Sequence, residues 1–254
     1  MKKLSLGVVG LVALASAAVS PASAADMAAR PYTKAPAPMI SPVYDWSGFY
    51  VGLNGGGAWS HKCWNNNSVV GVVTNVAEGC QNASGGVAGG QFGFRTQSAS
   101  WVFGLEAQGD WAGLKGSNTS RFLANTTNES RVNAFGLFTG QVGYAWSNVL
   151  WYVKGGGAVV NDRYSGIATS TGIAIDRLND ARWGAAVGTG VEFAFAPSWS
   201  VGFEYDHMFM GNRDVILSGV TSGAPLRSER ISQDVDMATV RVNYRWGGPA
   251  ISKY

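Results

Sequence analysis

The chain has 254 residues and a formal charge of +3, and only 14% of its residues are charged. Ordinary soluble proteins carry about 25% charge and roughly 7% glycine, whereas this chain has 35 glycines and ten tryptophans. A soluble domain of this size would be short of charge for its surface, and no basic block stands out that would hold nucleic acid.

Lys2 and Lys3 precede an apolar run over residues 4–19, and Ala22-Ser23-Ala24 supplies a small-x-small site. This reads as a secretory signal peptide over 1–24, cleaved after Ala24 with Ala25 as the other choice. An uncleaved anchor is the alternative, but the run is short against the about 20 residues a spanning helix needs. No later stretch is apolar enough for such a helix. The exported part is therefore soluble or a β-barrel, the other structure that satisfies its backbone inside lipid. Residues 25–46, with Pro31, Pro36, Pro38 and Pro42, read as an extended Ala/Pro-rich lead-in.

After Trp46 the chain alternates. Trp101, Phe103, Leu105, Ala107 and Trp111 share one parity, against Gly104, Glu106, Gln108 and Asp110 on the other. That is a period-2 strand with one apolar face. The same template fits 48–60, 85–97, 100–112, 131–146, 150–161, 182–195, 199–210 and 235–246. Most of these stretches are long against a mode of about 5–6 residues, and they suit a tilted crossing of a bilayer. The connections strictly alternate between short (97–100, 147–149, 196–198) and long and polar (61–84, 113–130, 162–181, 211–234). The expected fold is all-β: an eight-stranded antiparallel up-and-down transmembrane β-barrel over 47–246. Both of its ends lie on the side of the short turns, and a short tail follows at 247–254.

Alternation does not say which face looks inward, because a lipocalin-like barrel has its apolar face inside. Aromatic residues near the ends of the apolar parities argue for apolar outside. Phe49, Trp59, Trp101, Trp111, Tyr144, Trp183, Trp199 and Trp246 are expected to form the interfacial girdles. The opposite parity is rich in glycine and balanced in charge. It carries Glu106, Asp110, Glu192, Glu204 and Asp206 against Arg95, Lys154, Arg182, Arg241 and Arg245. These ten are read as a lumen charge network, since an unpaired charge in an enclosed lumen is costly. At least one bridge is expected between Glu204 or Asp206 and Arg241 or Arg245.

Cys63 and Cys80 lie in the first long polar segment, and their even number in an exported chain suggests a disulfide stapling that loop; two unpaired thiols are the alternative. His61 beside them completes only three metal ligands, so no metal site is expected. His207 sits on the apolar parity and Glu204 and Asp206 on the other, which separates the members of any Ser–His–acid arrangement. No catalytic residue and no cofactor is expected. The glycine runs at 55–57, 85–86 and 155–157 lack the Lys-Ser/Thr of a phosphate loop.

The stretch Tyr44-Asp45-Trp46-Ser47-Gly48-Phe49-Tyr50-Val51-Gly52 and the closing Val240-Arg241-Val242-Asn243-Tyr244-Arg245-Trp246 resemble the alphaproteobacterial outer-membrane immunogenic proteins, grouped with porin-like OmpA-type barrels. The resemblance runs over the whole chain. It implies an eight-stranded barrel in the bacterial outer membrane with exposed, immunogenic loops and no established enzymatic activity. Unlike many such barrels, this chain continues past Trp246 to Tyr254, so either aromatic is a candidate for the terminal assembly signal. The expected partners are outer-membrane lipid and lipopolysaccharide, the barrel-assembly machinery during insertion, and host or surface partners at the loops. The expected role is a plugged envelope anchor. A small porin-like diffusion channel and a lipid-modifying enzyme are the alternatives.

Overall fold

The computed structural model describes residues 44–120 and 125–246. The signal peptide at 1–24, the lead-in up to residue 43 and the tail at 247–254 with Tyr254 lie outside the described residues. Eight strands follow one another: β1 (Gly48–Val69), β2 (Val72–Ser98), β3 (Trp101–Thr119), β4 (Thr126–Trp146), β5 (Val149–Ala168), β6 (Ala174–Ala196), β7 (Trp199–Gly219) and β8 (Pro225–Trp246). Each is antiparallel to its neighbour, and β8 pairs with β1 from Phe49↔Trp246 to Val69↔Arg227, closing the ring. Closure leaves no edge strand with unpaired backbone groups, which is what crossing lipid requires.

The strands run 19 to 27 residues, well beyond the stretches that alternate in sequence. The segments read as long polar loops are instead mostly barrel wall. Between β1 and β2 only Val70 and Gly71 turn the chain, both at positive φ. The far turns also bond to neighbouring hairpins, through Val70 N–H to Leu226 O and Val220 N–H to Ile175 O, each at 2.8 Å. The physical reason is solvent. Beyond the bilayer the outer face meets water and mixes polar with apolar residues, while the inner face mixes charges with apolar side chains, so the period-2 contrast fades although the strand continues.

All eight predicted girdle residues face outward. Phe49, Trp101, Tyr144, Trp199 and Trp246 stand near the short-turn end, and Trp59, Trp111 and Trp183 farther along. Ten residues separate Phe49 from Trp59, which is about 33 Å along a strand and about 25 Å in height at the usual tilt of outer-membrane barrels. Between the two rings the outer face is apolar and exposed, with Leu53, Leu105 and Phe138 among its residues.

The lumen is packed throughout and stratified. At the short-turn mouth Trp46, Val102, Ala145, Leu150, Tyr152 and Ala194 form an apolar cork. Trp46, read from sequence as the end of the extended lead-in, is only 1% exposed, and Gln97 accepts its backbone N–H. A charged layer follows, then a second apolar layer that includes Leu114, Phe135, Leu137, Val160, Met208 and Met237. Lys62 and Asp162 come next, then Trp64, Tyr164, Val215, Leu217 and Ile231. A lumen of small and charged residues alone was the expectation. Apolar layers alternate with the charged ones because an eight-stranded interior is only wide enough for side chains, and dry packing fills it. Glycine allows the closest strand approach: a Cβ at Gly56 or Gly156 would lie 2.0 Å from the carbonyl oxygen of Ala238 or Phe138.

Candidate functional site: the filled lumen and the outer collar

Inward parity on β3, β5, β7 and β8 brings Glu106, Lys154, Glu204, Asp206 and Arg241 to one level, although they are distant in sequence. Arg241 reaches Glu106 at 2.6 Å through Nη2 and Glu204 through Nη1. Lys154 Nζ lies 2.7 Å from Glu204, 3.2 Å from Asp206 and 3.4 Å from Glu106. Tyr50 and Tyr152 donate hydroxyls to Glu106 and Glu204, each at 2.6 Å. Nearer the mouth Arg95 pairs with Glu192 at 2.9 Å and packs over the Tyr50 ring. All of these side chains are buried, where ion pairs hold only if the geometry also meets their hydrogen bonds.

Three predicted members stand apart from this network. Asp110 is held by Gln108 at 3.0 Å rather than by a cation. Arg182 lies a layer higher and donates to the Ile231 carbonyl at 3.2 Å. Arg245 sits at the short-turn mouth, donating to the carbonyls of Ser47 and Pro197 and packing over Tyr44. Parity puts these residues on the inner face, but height along the barrel, which parity does not encode, sets Arg182 and Arg245 apart from the acids of the network.

A second buried charge cluster lies toward the far hairpins and was missed from sequence. Arg227 pairs with Glu229 at 2.7 Å and with Asp176 at 2.8 Å, and Glu78 approaches it at 3.8 Å. Asn128 donates to Glu78 at 2.6 Å. Burial pushes the Glu229 carboxyl up to about 8, with Arg227 opposing and Glu78 and Asp176 adding to the rise. Its only signal in sequence is inward parity carried on through segments that look like loops.

Cys63 and Cys80 are directly opposed partners in the β1–β2 ladder and form a disulfide. The bond joins two strands of the wall rather than stapling a loop. The ligand atoms of His61, Cys63 and Cys80 lie within 4.8 Å of one another, but with the sulfurs bonded to each other they offer no thiolate pair. His207 faces outward, away from the buried Glu204 and Asp206. Its Nδ1 instead lies 2.7 Å from Asp236 on β8, whose carboxylate also accepts the Tyr205 hydroxyl. That partner comes from cross-strand register and has no signature within one stretch.

Outside the second aromatic ring, the first outward charges differ around the wall. On β3 to β6 they are Lys115, Arg131, Arg163 and Arg177, all exposed, whereas β8 presents Asp236 and Asp234. Lys115 is the direct ladder partner of Arg131, and Arg131 of Arg163. Glu129 accepts from Arg131, and Asn179 accepts from Arg163 at 2.9 Å.

Among solved structures, the chain is similar to the outer membrane protein OprG from Pseudomonas aeruginosa. The identity is 11% over 79% of this chain and 97% of that one, with a TM-score of 0.52. The outer membrane protease OmpT from Escherichia coli matches at 8% identity over 80% and 98%, with a TM-score of 0.49. Neisserial surface protein A matches at 15% over 79% and 98%, with a TM-score of 0.36. At its identity the likeness to OprG shows the fold alone. No curated protein sequence matches. A family model described as outer membrane protein beta-barrel domain matches residues 9–246, and the chain belongs to that family.

Proposed function

We propose that this protein is an exported, closed envelope anchor that holds a rigid, polar barrel extension outside the bacterial cell. On this reading it is neither a solute channel nor an enzyme. The observation that carries the reading is the lumen. Successive layers of Trp46, Arg241, Met237, Lys62, Trp64 and Arg227 fill it with side chains that are each at most 2% exposed. A diffusion pore needs a continuous aqueous path, and water-filled channels belong to barrels of about 16–18 strands. The start of β1 at Gly48 and the end of β8 at Trp246 lie on the periplasmic side, and the far hairpins face outward as the surfaces open to antibodies or host molecules. The resemblance to immunogenic outer-membrane proteins supports that orientation.

Two measurements test it together. Reconstituted into a planar bilayer, the protein is expected to give no persistent single-channel steps. On intact cells, a tag placed at Gly71 is expected to be reached by antibody. Large, stable conductance would defeat the closed-lumen reading, and a tag reached only after permeabilisation would defeat the orientation.

A further inference from the structure

We propose that the β3–β5 face of the barrel carries a binding site for a phosphorylated glycolipid of the outer leaflet, built by Lys115, Arg131 and Arg163. The inference rests on the outer-membrane reading above and gives it a lipid partner.

Three cations occupy successive rungs of the ladder, Lys115↔Arg131 and Arg131↔Arg163. Directly opposed like charges in a sheet are destabilising, so the row is a standing cost unless an anion lies across it. Within the row, among the described residues, Arg131 is offset by the carboxylate of Glu129, and Arg163 is held by the neutral Asn179. The acids Asp234 and Asp236 lie on β8, across the barrel. The charge is therefore one-sided, as a site for a particular anion would be.

Height and relief select the ligand. Lys115 stands four residues beyond Trp111 on the same outward parity. That is about 13 Å along the strand. It places the ammonium just outside the hydrocarbon, and long basic side chains bend back toward the interface. Beneath the row, between the projecting Trp111, Phe138 and Val159, Gly109, Gly113, Gly136, Gly155 and Gly157 occupy lipid-facing positions and leave shallow places in the wall. A Cβ at Gly109 or Gly157 would meet nothing within 4 Å. Beside Lys115, a depression of about 270 Å³ is lined by Gly116, Ser117, Thr127 and Glu129. Phosphates on the cations, a sugar in the polar depression and acyl chains over the glycines together describe a lipid whose sugar headgroup carries phosphate. A free anion would use the cations alone.

The test uses the full chain in phosphatidylcholine nanodiscs, titrated with bisphosphorylated lipid A, with the same lipid stripped of phosphate, and with inorganic phosphate. Lipid A is expected to bind, and removal of its phosphates to weaken binding at least tenfold. The triple substitution Lys115→Gln, Arg131→Gln, Arg163→Gln is expected to do the same. Arg230→Gln, a control on β8 whose charge is already paired with Asp214, is expected to leave binding unchanged. Should the triple variant not fold, Arg163→Gln alone is expected to weaken binding about threefold. Equal binding by the folded variants, or by the dephosphorylated lipid, overturns the site. Displacement of the lipid by micromolar inorganic phosphate also overturns it, in favour of a free-anion site. Heat-modifiable gel migration of the wild type separates the two readings: its loss would defeat the outer-membrane reading, whereas a barrel that migrates normally without phosphate-dependent binding defeats only the lipid site.

Discussion

Arg241 is the residue on which the lumen turns. One guanidinium spans Glu106 and Glu204 and is only 1% exposed. Removing one partner of a buried pair leaves the other charges uncompensated, at a cost of about 3–5 kcal/mol. Arg241→Met is therefore expected to lower unfolding free energy by about that amount, read from urea unfolding in lipid vesicles. A loss under about 1 kcal/mol would mean that Lys154 alone can hold the acids. Glu229, beyond the second aromatic ring, gives the opposite sign. Its carboxyl is raised from 4.5 to about 8, so the folded chain keeps a proton that the unfolded chain releases across that window. Stability should then fall as pH rises from the lower value to the upper and stay low above it. Glu229→Gln is expected to flatten this fall and to be more stable than wild type at high pH, measured by urea midpoints on both sides of the window. Parallel pH profiles would contradict the assignment. Glu106, Glu204 and Arg241 were legible as inward residues because lipid on the other side sharpens the parity. Glu78, Asp176, Arg227 and Glu229 were not, because water lies outside them.

At the scale of elements, the same contrast decides which parts of a strand can be read. The stretch Trp101–Trp111 shows the clearest alternation, yet β3 runs on to Thr119 through Lys115 and Ser117, where neither face is apolar. The Cys63–Cys80 bond lies in such a prolonged region of β1 and β2 and locks their register beyond the bilayer. Its sequence separation is 17, and a cross-link of that size restricts the unfolded chain by about 3 kcal/mol. The double variant Cys63→Ser, Cys80→Ser is expected to assemble a normal heat-modifiable barrel that unfolds at lower urea. Failure to assemble would instead give the bond a role in folding. Elsewhere pairing lapses: β6 and β7 part between Arg177↔Ser218 and Ala185↔Phe209, where Gly211 takes a positive φ. Arg213 bridges the interval to the Ala181 carbonyl at 3.2 Å. No pattern in either strand announces that opening, since it comes from a bulge whose effect is felt only across the ladder.

For the whole molecule, the absence of conductance is the prediction that follows from layering rather than from any one residue. Charged layers alone would admit water and ions. The apolar layers around Trp46 and Met237 are what break an aqueous path, because water in a space without polar partners is unfavourable. By itself the sequence determined the all-β class, the eight crossings, the outward apolar face and the inward acids and bases of the membrane zone. Each of these depends on a residue's contrast with its immediate neighbours. Only the tertiary structure decided the height of the wall, the cross-strand disulfide, the sorting of the lumen into layers, the His207–Asp236 contact and the one-sided row of Lys115, Arg131 and Arg163. Those features depend on register and on level along the barrel, which are set by closure of the whole ring and leave no mark in any single stretch of chain.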